Sequence, residues 1–260
     1  LKVPIAFVGA GPGDPALITL KGAQLLKAAD LVVYAGSLVH PDVLKHCGPG
    51  ATLVDSAPMD LQAITASMVE GWGRSLAVVR LHSGDSSIYG ATAEQTRLLD
   101  AAGVPWMIVP GVSSFQAAAA ALGVELTLPG VSQSVILTRA EGRSTPMPAG
   151  ESLAKLGASG ATLCLFLSAG LARDIERDLA PHYGPDCPVA VVVRASWPDQ
   201  AILRCRLDAL AATLKEHKVT KTAMIIVGRV LLKDGEASKL YDKAFTHSYR
   251  RGTKEQRTQA

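Results

Sequence analysis

Ile5-Ala6-Phe7-Val8-Gly9-Ala10-Gly11-Pro12-Gly13-Asp14 is an apolar run that breaks into a glycine-rich loop. A strand feeding a tight turn, then a helical pattern opening at Pro15, is the first step of an α/β unit. The loop nearly spells the dinucleotide fingerprint G-x-G-x-x-G and then departs from it. The third glycine, which lets helix and strand pack closely, falls at position 14, where this chain has aspartate. Pro12 removes a backbone N–H, and Asp14 repels a pyrophosphate, which needs free N–H groups at a positive helix end. Three glycines in five residues still cost conformational entropy, so the backbone is built for close approach to something.

Outward from this loop, β-branched runs alternate with helical patterns, the signature of α/β units around a mostly parallel sheet. In the first half strands are expected at 4–8, 31–34, 52–54, 76–81 and 106–109, with helices at 15–28, 61–71, 91–102 and 114–121. The second half changes character. Strands are expected at 135–138, 162–167, 189–193, 201–206 and 224–230, with helices near 170–179 and 207–217. A short connection containing Pro198-Asp199 joins 189–193 to 201–206, which predicts a hairpin and a mixed second sheet. Residues 141–150 are Pro/Gly/Ser-rich and read as a loop. The expectation is an N-terminal α/β domain over 1–128, a C-terminal α/β domain over 129–235, and an extension with a basic tail over 236–260.

The 260 residues, 48% hydrophobic and 19% charged, suffice for one large or two modest cores. Arg250, Arg251, Lys254 and Arg257 against Glu255 account for the whole net charge of +3. A neutral body argues against a nucleic-acid partner, and a basic tail alone is ordinarily a solvated terminus. Cys47, Cys164, Cys187 and Cys205 are scattered without a C-x-x-C pair, which fits a reducing cytoplasm and no disulfide framework. Cys164 reads as a small core residue. No two of His40, His46, His82, His182, His217 and His247 stand at helical i+3 or i+4 spacing, so no metal site is expected. The opening residues show no leader pattern, and apolar stretches such as 117–124 are too short for a bilayer, so no membrane is expected.

Three glycine-containing loops follow first-half strands: Gly9–Asp14, Ser83–Gly90 and Pro110–Ser114. Ligands of open α/β sheets bind beyond the carboxyl ends of strands, so three such loops on one sheet edge would make one pocket. Asp85 can cap a helix, hold a ribose or accept from an amino group. His82 reads as a structural histidine, and Tyr89 as packing on a ligand or in the core.

Taken in order, V-G-A-G-P-G-D at 8–14, T-L-K-G-A at 19–23, G-D-x-x-x-Y-G at 84–90 and V-P-G-V-S-S at 109–114 resemble the tetrapyrrole methylases. These are S-adenosylmethionine-dependent enzymes of the cobalamin and sirohaem pathways. The resemblance runs from about residue 3 to 232. Within the family, 34–39, 80–85 and 240–250 are similar to members that methylate C11 of precorrin-4. Two departures matter. Family members usually carry proline where this chain has Ser86, which predicts a slightly looser loop. The acid–base pair of the uroporphyrinogen methylases matches Ala35 and Ser56-Ala57 here, and neither can move a proton in that role.

The resemblance implies two α/β domains, the first sheet mostly parallel and the second mixed, with S-adenosylmethionine folded in the cleft between them. It points to Pro12, Ser83, Gly84, Asp85, Ile88, Ser113 and Ser114 as cofactor contacts, joined by Ala169, Ala195, Thr222 and Ala223 from the second domain. It implies an in-line methyl displacement, for which alignment and exclusion of water matter most and no catalytic side chain is assigned. The substrate is a small-molecule tetrapyrrole, and the family implies a homodimer. Lys21, Arg80, Arg139, Arg143 and Arg194 are candidates for the substrate's carboxylates. Methylation at C17 or C20, a dinucleotide-dependent oxidoreductase and a non-catalytic tetrapyrrole carrier are the alternatives. The residues leave open whether the substrate carries cobalt.

Overall fold

The computed structural model describes residues 2–142, 146–236, 238, 242–246, 248–251 and 253. Among them the chain forms two five-stranded sheets. The first contains β1 (Ile5–Gly9), β2 (Leu31–Tyr34), β3 (Thr52–Asp55), β4 (Val78–His82) and β5 (Trp106–Val109). Their order is β3-β2-β4-β1-β5, and every pair is parallel. The interior strand β1 shows why its sequence is apolar without a break. Ile5 and Phe7 join a core with Leu31, Val33, Met68 and Leu99, while Ala6 and Val8 join another with Leu26, Val43 and Leu81. A parallel strand covered on both faces reads as one continuous hydrophobic run. The covering helices include α1 (Leu20–Ala28), α2 (Leu61–Gly73) and α3 (Thr92–Ala101).

The second sheet contains β6 (Val135–Arg139), β7 (Thr162–Phe166), β8 (Pro188–Val193), β9 (Ala201–Arg206) and β10 (Ala223–Val227), in the order β6-β7-β10-β8-β9. Only β6 and β7 are parallel, so the sheet is mixed, and β8 and β9 form the predicted hairpin. One face packs Leu163, Leu165, Val191 and Ile225 with residues of α6 (Ala172–Tyr183) and α7 (Leu210–Glu216). The other packs Cys164, Val192 and Ile226 with Ala117, Ala118 and Leu122 of α4 (Ser114–Leu122). Thus α4, which directly follows β5, packs on the second sheet although it lies within the first half of the chain. Cys164 is fully buried, as a small core residue should be.

Some expected elements differ. The helix expected over 15–28 is a 3-10 turn, Pro15–Leu17, followed by α1. The Thr19 hydroxyl accepts from Gly22 N at 3.1 Å and caps α1, with Ile18 extended in the break. The strand expected to reach 230 stops at Val227, because Gly228 adopts φ +154° and Arg229–Leu232 turn as a 3-10 helix. The short helix α5 (Leu153–Gly157) and the 3-10 helix Pro41–His46 have no counterpart in the sequence reading. No described helix is long and apolar enough to cross a membrane.

Candidate functional site

Because β4, β1 and β5 are neighbours, the three glycine loops emerge side by side. They pack backbone against backbone. Gly84 N donates to Gly11 O at 2.8 Å, and Gly11 N donates to Gly84 O at 3.2 Å. A Cβ on Gly9 would lie 2.6 Å from Gly111 Cα and from Gly84 O. A Cβ on Gly111 would lie 2.3 Å from Gly84 O and 2.8 Å from Gly9 C. Real Cβ atoms do not come so close, so the glycines are fixed by the approach of the loops to one another.

Asp85 staples this assembly. Its Oδ2 accepts from Gly111 N at 2.8 Å in the third loop, and its Oδ1 accepts from Ser87 N at 2.8 Å and from the Ser87 hydroxyl. Burial pushes the carboxyl pKa up, but the bonds from Ser87 and Gly111 together outweigh it and hold the net value below normal. Ser86 is buried and its carbonyl accepts from the Thr92 hydroxyl, so this part of the loop is pinned without a proline.

The dinucleotide alternative loses its footing in the first loop. Ala10 N donates to His82 O at 2.7 Å, Gly11 N to Gly84 O and Asp14 N to the Ser196 hydroxyl at 3.0 Å. Pro12 has no N–H. Asp14 Oδ1 accepts from Ala16 N at 2.8 Å and caps the 3-10 turn. These amides do not form a phosphate cradle.

Above the loops lies a cavity of about 410 Å³ between the two sheets. Pro12, Ser83, Gly84, Asp85, Ile88, Ser113 and Ser114 line it from the first half. Ala169, Ala195, Thr222 and Ala223 line it from the second. All eleven residues singled out in the sequence therefore meet at one place. Four non-glycine residues of the lining, Tyr89, Leu167, Arg194 and Thr222, have left-handed backbone, with φ between +48° and +54°. Such conformations cost of order 1–3 kcal/mol each and concentrate at functional sites.

The basic candidates separate. Arg194 lines the cavity, where its guanidinium pairs with Asp199 and lies 5.7 Å from the Trp197 ring centre. Arg80 does not line it. Its side chain is buried, with Nε donating to Gln95 Oε1 at 2.9 Å and Nη1 to Val33 O at 3.1 Å and Ser56 Oγ at 3.0 Å. Burial lowers its pKa to about 10, so it stays charged at neutral pH. A strand residue inside a doubly covered sheet has no path to a substrate. Lys21 lies exposed on α1, outside the lining. Arg139 is also outside it, donating to Ala140 O at 3.3 Å and Pro146 O at 3.5 Å. Arg143 lies outside the described residues, as do parts of the 240–250 phrase.

Trp197, Lys221, Leu38 and Phe166 also line the cavity and were not anticipated. Tyr89 bridges the halves, its ring 5.3 Å from that of Phe166. Ser56, at the acid–base position of the uroporphyrinogen methylases, is buried, its hydroxyl donating to Tyr34 O at 2.9 Å and accepting from Arg80.

His82 is structural but not fully satisfied. Its ring stacks on Phe7 at 5.9 Å, and Nε2 is buried without a hydrogen-bond partner among the described residues. Burial first, then the charge of Arg80, lowers its pKa to about 3 against a weaker pull from Asp85. Above pH 6.5 the imidazole is neutral folded and unfolded, so it adds no pH dependence. Below that, the unfolded chain takes up a proton that the folded chain refuses until about pH 3. Going from pH 7 to pH 5 should therefore cost about 2 kcal/mol of stability through this group. Urea melts of the wild type and His82→Gln at both pH values check it, since the variant should lose that part of the slope.

A family model described as Tetrapyrrole (Corrin/Porphyrin) Methylases matches residues 4–211. The precorrin-4 C(11)-methyltransferase of Sinorhizobium sp is 47% identical over 247 residues, covering 95% of this chain and 98% of the relative. The solved structure of a cobalamin biosynthetic enzyme, cobalt precorrin-4 methyltransferase, matches with a TM-score of 0.85 and 44% identity, covering 88% of this chain and 95% of that one. Uroporphyrin-III C-methyl transferase from Thermus thermophilus, complexed with S-adenosylhomocysteine, matches with a TM-score of 0.74 and 30% identity, covering 90% and 96%.

Proposed function

The chain belongs to the tetrapyrrole (corrin/porphyrin) methylases, and from that premise we propose that it methylates C11 of precorrin-4 with S-adenosylmethionine, giving precorrin-5 in cobalamin biosynthesis. The observation that carries the reaction is identity of 47% to a precorrin-4 C(11)-methyltransferase over nearly both full lengths. The cavity fits the cofactor. Its lining includes Pro12, Gly84, Ala169, Ala195 and Ala223, small residues that allow close backbone contact. Such a surface suits a cofactor without phosphates. The eleven lining residues named above are the contacts proposed to hold it.

When bound, S-adenosylmethionine supplies an electrophilic methyl group on a sulfonium. The protein aligns and dries the site. Both Asp85 oxygens are committed to the loops, and Arg194 is paired with Asp199. His82 is outside the lining and neutral at working pH. In this reading, which follows the family, the nucleophile is the electron-rich ring carbon of the substrate. Lys221 is exposed at the cavity and makes no ion pair among the described residues, which suits it to a substrate carboxylate. Lys221→Ala should raise KM for the tetrapyrrole about fivefold with kcat little changed, on the scale of one exposed charge-assisted bond. Steady-state kinetics check it.

The proposal includes a homodimeric cytoplasmic enzyme with no nucleic-acid or membrane partner; sedimentation tests the dimer. For the reaction, purified protein is incubated with precorrin-4, with and without cobalt, and labelled S-adenosylmethionine. The new methyl is located by mass spectrometry and NMR. A methyl at C17 or C20, or none, overturns the C11 assignment.

A further inference from the structure

The β8–β9 connection reaches across the cavity mouth and grips the first glycine loop. Trp197 Nε1 donates to Pro12 O at 2.9 Å, and one step on, Asp14 N donates to the Ser196 hydroxyl at 3.0 Å. The indole fills the space that a side chain at position 13 would need: a Cβ on Gly13 would lie 2.1 Å from Trp197 Cδ1. The glycine is thus a notch for the ring. The ring also meets that of His40 edge-on at 4.6 Å. The connection itself is braced for this. Arg194 and Ser196 have left-handed backbone, Ser196 N donates to Gln200 Oε1 at 2.7 Å, and Trp197 N donates to Arg194 O at 2.9 Å. Two residues of the clasp, Pro12 and Trp197, are also cavity walls.

We propose that Trp197 is a positioning residue, which fixes the Pro12 wall of the cofactor cavity by locking the second-half hairpin into the Gly13 notch. The inference rests on the cofactor reading above. With the indole N–H on the Pro12 carbonyl, the first loop is held by the second half of the chain as well as by its bonds with Gly84. The clasp touches the cofactor wall and no part of the β4–β5 staple, so it should set cofactor affinity.

Trp197→Phe keeps an aromatic ring for the notch and removes only the donor; Trp197→Ala removes both. The probe is S-adenosylhomocysteine, titrated by calorimetry into the full chain, beside urea melts and steady-state kinetics. Phe should weaken binding about fivefold, on the scale of one lost hydrogen bond, and Ala more. KM for S-adenosylmethionine should rise in step while KM for the tetrapyrrole stays within twofold, at about wild-type stability for Phe. Wild-type affinity in folded Phe and Ala variants overturns the proposal, and so does a loss confined to stability. No binding by the wild type overturns the cofactor reading and this inference with it.

Discussion

Gly111→Ala should abolish measurable S-adenosylhomocysteine binding and destabilise the fold by about 3 kcal/mol, the upper range for forcing extra atoms into a packed site. The new methyl would meet Gly84 O at 2.3 Å and the Gly9 backbone at 2.8 Å. None of these atoms is the end of a flexible side chain. Relief requires one of three loops to move by about an ångström, a displacement that can cost a hundredfold in function. Each loop is tied to another: Gly84 to Gly11 by two backbone bonds, Gly111 to Asp85 by one. Movement of the third loop also drags Ser113 and Ser114, which line the cavity. Calorimetry and urea melts check both halves of the expectation. Wild-type affinity in this variant would mean that the three loops do not form one wall.

The same packing explains what the sequence could show. Turn chemistry is local, so Gly9, Gly84 and Gly111 each announce a loop, and strand alternation places the loops on one edge. The hairpin of β8 and β9 was legible for the same reason. Resemblance, not spacing, supplied Ala169, Ala195, Thr222 and Ala223, because nothing local says that these points come together. Arg80 was misplaced because a basic residue near a strand end looks available. A signal existed: Val78-Val79-Arg80-Leu81-His82 is covered on both faces, so an arginine within it must be core. Thr19 likewise offered a cap that divides 15–28, but the apolar pattern runs through it. Trp197 depends on a contact between residues 185 positions apart, fixed only by how the second sheet sits on the first. Gly13 was its one trace: its φ of +157° already favours glycine, and the indole takes the place of a Cβ as well.

Asp85→Ala should weaken S-adenosylhomocysteine binding at least tenfold, whereas Ser86→Ala should change it less than twofold. The neighbours differ in what they hold. Asp85 joins the second loop to the third, and its removal leaves Gly111 N without its acceptor in a partly buried place. A hydrogen bond to a charged group contributes about 1.5–3 kcal/mol, and 1.4 kcal/mol is a factor of ten. Asp85→Asn should not rescue, since its amide must turn a donor toward either Gly111 N–H or Ser87 N–H. The Ser86 hydroxyl is buried and has no partner among the described residues, so deleting it removes no bond and should leave stability equal or higher. The pH dependence has a definite sign. With its folded pKa depressed, Asp85 contributes fully above the ordinary carboxylate value of 3.8, and the contribution fades as pH falls through the folded value. Between pH 5 and 8 the wild-type advantage over Asp85→Ala should therefore be flat, whereas the His82 contribution falls over the lower part of that range. Calorimetry of the three variants reads the binding losses, and urea melts of Asp85→Ala beside His82→Gln across that range separate the two groups. Equal, small losses for Asp85→Ala and Ser86→Ala would show that the carboxylate does not hold the loops in register.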